Sequence, residues 1–357
     1  MTVRTFSSAL VGLGNIAQFH ASALQQMPGI QLVAGCDPNP RRREFARRHF
    51  GIRNLYESVD DLLQTEQIDV CHVLAPPSQH VPLALKCLDY MCHCLLEKPL
   101  AVNQSEAQTL ACKAKEFKRL VGVNHNLVWN PAFRRLKSLI KDNHLGILRN
   151  VMVRHSLSQS LQRGTWATEA FTNPIFEAAP HPLSLIVELL GPIQQLQVSI
   201  CETIYCAGIQ VASAWQANML CERGPAACFV SLQNAYPLSV VSVTGQDGSA
   251  QVDVLSNTLT FSAKSHYREP LNLVFDSTRE GYSLIKQGLG EFSSCALGLF
   301  ANRKFGGQFI RSMRDSLACF YQGLQNSDVI ETNFSCGVEV VRVCEMISDQ
   351  LKVIAVR

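Results

Sequence analysis

Phe6-Ser7-Ser8-Ala9-Leu10-Val11-Gly12-Leu13-Gly14-Asn15-Ile16-Ala17 is the stretch on which the fold turns. Its first six residues are small or apolar and read as a short buried strand. The strand opens directly into Gly-x-Gly-x-x-Ala, after which His20, Leu24 and Met27 continue at helical spacing. In a strand–turn–helix unit of this kind the first glycine permits the tight turn. The second lets backbone approach a pyrophosphate, and the small third residue packs helix on strand. The helix N-terminus then offers N–H groups to phosphate oxygens. A second strand, Ile30 to Cys36, ends on Asp37, where an acid is expected to accept from adenosine ribose hydroxyls. Together these predict a dinucleotide site on Gly12, Gly14, Asn15, Ile16 and Asp37. The Asp37 carboxylate repels a 2′-phosphate and favours NAD over NADP, while Arg41 and Arg42 pull the other way.

Outward from this unit the alternation continues. Asp60 to Leu63 reads as a short helix, Ile68 to Leu74 as a buried strand, and Ala75-Pro76-Pro77-Ser78-Gln79-His80 as a turn. A helix from Val81 to Tyr90 leads to a buried strand that ends at Leu95-Leu96-Glu97-Lys98-Pro99-Leu100. A further helix, Ser105 to Lys118, precedes the strand Leu120 to Asn124. Strands alternating with helices imply a parallel sheet wound on both faces, so residues 1–125 are expected to form an α/β domain. Pro99 cannot donate to a ladder and stops its strand. Ligands bind beyond the strand ends of such sheets, so Lys98 reads either as a group that reaches a substrate oxygen or as an ordinary surface lysine at a strand exit.

After Asn130 the pattern changes. Pro131 to Lys141 is an amphipathic helix, followed by the alternating stretches 151–157, 196–202, 211–218, 228–234, 240–244, 250–255 and 259–262. Gly245-Gln246-Asp247-Gly248 fits a hairpin turn between two of them. Residues 126–357 are therefore expected to hold a mostly antiparallel sheet with one open face, closed by helices over 309–322 and 338–351. Across 357 residues the composition is 47% hydrophobic and 17% charged with a net charge of +3, which gives no basis for a nucleic-acid or membrane partner. Arg41-Arg42-Arg43 and Arg47-Arg48 read as one solvated face. The 14 cysteines show no Cys-x-x-Cys, and Cys71, Cys228 and Cys344 fall in apolar patterns, so neither a metal nor a disulfide framework is expected. With no leader-like or membrane-spanning run, a soluble cytoplasmic protein is the expectation.

In combination, Gly12 to Ala17 with His20, the Pro76–His80 turn, Glu97-Lys98-Pro99, Val121-Gly122-Val123-Asn124 and Pro131-Ala132-Phe133-Arg134-Arg135-Leu136 resemble the glucose–fructose oxidoreductase / inositol dehydrogenase / rhizopine-catabolism (Gfo/Idh/MocA) family. The resemblance implies a Rossmann domain followed by an α/β domain whose open sheet pairs subunits into a homodimer or homotetramer. It implies an NAD(P)-dependent dehydrogenase with Lys98 beside the nicotinamide and the reacting carbon, often with a cis bond before Pro99. Ala75, Pro76, His80, Glu97 and Asn124 would line the nicotinamide side. The family's Asp-x-x-x-His motif falls on Asn173 to Leu183, where His181 matches the histidine and Glu177 stands in the aspartate position. Trp166 matches a tryptophan often seen before that helix and is a candidate to stack on a sugar face. Departures lie on the substrate side: Thr172-Asn173-Pro174-Ile175 replaces a glycine-rich stretch, and His125-Asn126 follow Asn124 where many members carry arginine.

Hydride leaves a carbinol carbon only as its hydroxyl proton is removed, so a base of near-neutral pKa should touch that oxygen. His181 fits that task, with Lys98 stabilising the alkoxide and Glu177 orienting the imidazole or binding a neighbouring hydroxyl. The expected function is thus NAD(H)-dependent oxidation or reduction of a sugar, polyol or nucleotide-sugar. Reduction of an imine or conjugated ring, and a non-catalytic dinucleotide-binding regulator, are the alternatives. His155 lies in a strand that could face the cleft and reads either as a satisfied strand histidine or as a ligand.

Overall fold

The computed structural model describes residues 5–157, 175–206, 209–232, 236–263, 269–300, 308–326 and 334–355. They fall into two compact units: Met1–Asn126 with Met313–Arg342, and Leu127–Ser312 with Val343–Arg357.

The first unit follows the expected alternation. Its strands are β1 (Phe6–Val11), β2 (Ile30–Cys36), β3 (Asn54–Tyr56), β4 (Val70–Val73), β5 (His93–Glu97) and β6 (Val121–Asn124). Between them run α1 (Ala17–Leu24), α2 (Pro40–Phe50), α3 (Val59–Thr65), α4 (Pro77–Asp89) and α5 (Gln104–Glu116). The strands form a parallel sheet in the order β3-β2-β1-β4-β5-β6, which reverses direction between β1 and β4. β4 is buried throughout and β5 from Cys94 to Glu97, as a sheet covered on both sides requires. Local chemistry sets the helix starts. Ser58 accepts from the Asp61 N–H, and Asn103 accepts from the Glu106 N–H.

A 3-10 turn, Asn126–Trp129, spans the boundary to the second unit and leads into α6 (Pro131–Lys141), whose first N–H groups are capped by Asn130. Next come β7 (Leu148–Ser156), α7 (Ile175–Ala178) and α8 (Pro180–Leu190). The strands β8 (Ile193–Cys206), β9 (Ile209–Cys221), β10 (Gly224–Ser231), β11 (Leu238–Gly245), β12 (Gly248–Asp253) and β13 (Thr258–Ala263) follow. Their order is β13-β12-β11-β7-β10-β9-β8, antiparallel except for the β7–β10 pair. Burial alternates along β7, with Val151, Val153 and His155 inward and Met152 and Arg154 outward. The sheet therefore has one packed and one open face, as expected. A 32-residue helix, α9 (Glu269–Phe300), lies against β13, a segment for which the sequence pattern gave no assignment.

Two helices close the chain, α10 (Gln308–Asn326) and α11 (Phe334–Ala355). From Met313 to Arg342 they pack with the first unit: Met313, Leu317, Phe320 and Tyr321 are buried beside Phe6, Leu10 and Leu95. Gly122 permits this approach, because a Cβ there would stand 2.8 Å from Phe320 Cδ2. Further on, Gln350 joins the second unit by bonding the N–H of Val198 and the carbonyl of Leu196. The cysteines among the described residues are free thiols, many of them buried. No helix among these residues is long and apolar enough to cross a membrane.

Candidate active site

The glycine loop sits where the sheet reverses direction. Gly12 has φ +97°, a conformation L side chains rarely adopt, and a Cβ there would lie 2.8 Å from Ala75 N. Gly14 faces the opposite situation: the nearest atom to its Cβ position is Arg42 Nη1 at 4.0 Å. No side chain caps α1, whose Ala17 and Phe19 N–H groups turn back onto the Gly14 and Ile16 carbonyls at 3.1 and 3.0 Å. At the end of β2, Asp37 is buried and its carboxylate accepts from Leu13 N–H at 2.9 Å and Asn39 N–H at 2.8 Å. Arg42 stands 3.5 Å from the same carboxylate. An open glycine face, an uncapped helix start and an anchored carboxylate fit the diphosphate and ribose of a dinucleotide.

From Cys94 to Ala101 every residue is buried except Lys98, and the Lys98–Pro99 bond is cis, as the resemblance implies. The lysine's neighbours are braced. His80 is buried with Nδ1 2.7 Å from the Pro99 carbonyl and Nε2 2.8 Å from the Ala75 carbonyl, so it ties the turn after β4 to the proline. Glu97 accepts from His20 Nε2 at 2.8 Å and Asn124 Nδ2 at 2.6 Å on one oxygen, and from the Lys98 N–H at 3.3 Å on the other. Burial alone would raise the Glu97 pKa, but the hydrogen bonds from His20 and Asn124 and the charge of Lys98 hold it below the usual carboxylate range.

Behind Glu97 a buried chain runs through the sheet. His20 Nδ1 lies 3.0 Å from His72 Nδ1, His72 Nε2 lies 2.8 Å from the Tyr321 hydroxyl, and that hydroxyl lies 2.7 Å from Ser8 Oγ. Burial pushes His72 well below its ordinary value and Tyr321 well above, so both are neutral near pH 7. One arrangement satisfies every atom with both imidazoles neutral: Ser8 donates to Tyr321, Tyr321 to His72, His72 to His20, and His20 to Glu97. His20 was visible in the motif and His72 as a polar residue inside an apolar strand, but Tyr321 arrives from α10 and carried no sequence signal.

Beside Glu97 and Lys98 the polar bookkeeping does not close. Asn124 Oδ1, both ring nitrogens of His125 and Asn126 Nδ2 are buried with no hydrogen-bond partner among the described residues. Buried polar atoms are otherwise almost always paired, so three consecutive side chains in this state point to a ligand. Burial pushes His125 down to about 4, opposed by attraction to Glu97 and reinforced by repulsion from Lys98. His72, His80 and His125 all have lowered pKa values, so the unfolded chain binds more protons below about pH 6.5 and stability is lost as pH falls through that point. For His125 the loss continues to about pH 4 and is worth about 3 kcal/mol at its limit. Thermal melts from pH 8 to pH 4.5 should show a Tm that falls below pH 6.5. His125→Leu should flatten that fall, and equal slopes in the two proteins would contradict the assignment.

The second unit carries the acid-x-x-x-His element. Between Ile175 and Val187 every residue is buried except Glu177 and His181, four apart and on one side of the α7–α8 stretch. The His181 ring lies 5.4 Å, centroid to centroid, from His155, whose Nδ1 is 3.3 Å from Ser239 Oγ. His155 thus stands against His181, on the strand expected from the sequence to be able to face the cleft. Trp166 and the stretch 172–174 lie outside the described residues. No group of three His, Cys, Asp or Glu among the described residues is disposed to hold a metal ion.

Residues 6–125 match the model of the oxidoreductase family with an NAD-binding Rossmann fold. The chain is 24% identical over 288 residues to Oxidoreductase P35 of Formosa agariphila, covering 73% of this chain and 85% of that protein. It is 30% identical over 163 residues to the glucose-6-phosphate 3-dehydrogenase of Bacillus subtilis, spanning 45% of this chain and 46% of that one. In fold it is similar to the WlbA dehydrogenase of Bordetella pertussis, solved with NADH and UDP-GlcNAcA, with a TM-score of 0.77 at 18% identity over 99% of this chain and 97% of that one. The likeness to the Gfo/Idh/MocA family of NAD-binding oxidoreductases is thus carried by the first unit, over residues 6–125.

Proposed function

We propose that this protein transfers hydride between NAD(H) and a carbinol or keto carbon of a sugar, polyol or nucleotide-activated sugar. NAD, when bound, supplies the hydride acceptor or donor. Gly12, Gly14, Asn15 and Ile16 present backbone to its phosphates, and Asp37 accepts from the ribose. Ala75, Pro76, His80, Glu97 and Asn124 shape the nicotinamide side. Lys98 stabilises the alkoxide oxygen of the substrate, His181 moves the hydroxyl proton, and Glu177 supports His181 or holds a neighbouring hydroxyl. The observation that carries this reading is Lys98 itself. It is the one side chain not buried at its strand end, its backbone is fixed by Glu97, and the unpaired polar atoms of Asn124, His125 and Asn126 lie next in the sheet. Glucose-6-phosphate and UDP-N-acetylglucosamine, named for relatives 30% and 29% identical, set where a substrate search begins.

The test is NADH formation or consumption at 340 nm with a panel of sugars, polyols, sugar phosphates and UDP-sugars. Turnover with one class supports the proposal. Tight NADH binding without turnover on any panel member, in either direction, sinks it and favours the regulator or another acceptor. In the same assay Asp37→Asn should raise the Kd for NADH at least tenfold, the scale of one charge-assisted hydrogen bond, and narrow the preference over NADPH by freeing Arg42. Unchanged affinity for both cofactors would remove Asp37 from the ribose site.

A further inference from the structure

The long helix α9 is turned inside out. The side that meets its own unit is polar: Glu280 accepts from Ser262, Arg279 donates to the Phe261 carbonyl, and Gln287 bonds both the N–H and the carbonyl of Leu259. The opposite side is apolar and open to solvent, with Tyr282 70%, Ile285 64%, Leu289 65% and Phe292 74% exposed. A monomeric helix buries its apolar stripe and exposes its polar one. These four residues follow one another at intervals of three, four and three, the a/d spacing that fits a facing helix. No charged residue interrupts the arc that they share with Val274, Thr278, Gly281 and Gly288.

The two glycines identify the occupant. Glycine weakens a helix interior, yet Gly281 and Gly288 sit on this arc with nothing within 4 Å of a Cβ built on either. Three residues to either side of Ile285 stand Tyr282 and Gly288, and four to either side stand Gly281 and Leu289. Two copies laid antiparallel about a two-fold axis at Ile285 therefore set Tyr282 over the partner's Gly288 and Leu289 over the partner's Gly281, with each bulky side chain meeting a glycine. A parallel pair in register sets bulk on bulk and leaves the glycines opposite one another. A lipid surface fits poorly, because Lys286 is the only cation flanking the arc apart from the inward-bonded Arg279.

We propose that the outer face of α9 is a pairing seam that docks antiparallel on the same helix of a second copy of this chain, an isologous contact centred on Ile285. The test is the mass of the full-length protein in solution by light scattering and sedimentation velocity. Ile285→Glu, Ile285→Lys and Leu289→Glu should each halve the wild-type mass while NADH binding persists, because every substituted position is solvent-exposed. Mixing Ile285→Glu with Ile285→Lys should restore the pair, since position 285 meets itself. Gly288→Leu improves helix propensity but fills the space for Tyr282, and should weaken association at least tenfold. A monomeric wild type, or masses unchanged by all four variants, would overturn the proposal. So would flotation of a monomeric wild type with phosphatidylcholine–phosphatidylglycerol vesicles, which would give the face to a membrane.

Discussion

Lys98→Met is expected to lower turnover about a thousandfold, or about 4 kcal/mol of barrier, while leaving NADH affinity within about twofold. Methionine keeps the length of the side chain and removes the charge proposed to meet the alkoxide. The strand end survives the change, because Glu97 bonds the backbone N–H of residue 98 and His80 holds Pro99 from the other side. Loss of turnover with retained binding places the residue in the reaction. A tenfold effect or less would reduce Lys98 to a bystander, and equal loss of NADH binding would make it a cofactor ligand. Kinetics at saturating substrate together with nicotinamide fluorescence separate these outcomes.

Tyr321→Phe should cost about 2–4 kcal/mol of stability through a single oxygen atom. The hydroxyl is the donor to His72 and the acceptor from Ser8, so its loss strands one buried acceptor and one buried donor. Ser8→Ala in the same chain removes the stranded donor, and the double variant should be less damaged than the two single changes add up to. Denaturant unfolding of the four proteins gives the coupling. A Tyr321→Phe cost below about 0.5 kcal/mol would show that the chain behind Glu97 is not closed as described. The relay also predicts that Tyr321→Phe leaves NADH binding largely intact, because the nearest proposed cofactor residue, Glu97, retains the bonds from His20, Asn124 and Lys98.

The first unit was largely legible because its signals are local. A strand pattern running into Gly12 to Ala17, the acid at Asp37 and the proline stop at Pro99 each act over a few residues, and together they specify a parallel sheet. The candidate site residues on that unit lie at strand ends for the same reason. The buried relay was not legible, since it joins Ser8, His20, His72 and Glu97 to Tyr321 across more than two hundred residues of chain. The return of α10 to the first sheet is not legible in the sequence either. Its amphipathic pattern says that one side is buried but not against what, and only the space above Gly122 shows where Phe320 goes. The helix α9 gave no usable pattern because its apolar stripe faces away from its own fold and its packed side is polar.

The proposed hydride transfer between the nicotinamide and a carbinol carbon is followed by running the reaction in the reducing direction with NADH deuterated at C4 and locating the label by mass spectrometry and NMR. One deuterium is expected on a single carbinol carbon of the product, lost together with turnover in Lys98→Met and strongly reduced in His181→Asn. Oxidation of the cofactor with no deuterium on any product carbon would contradict that transfer.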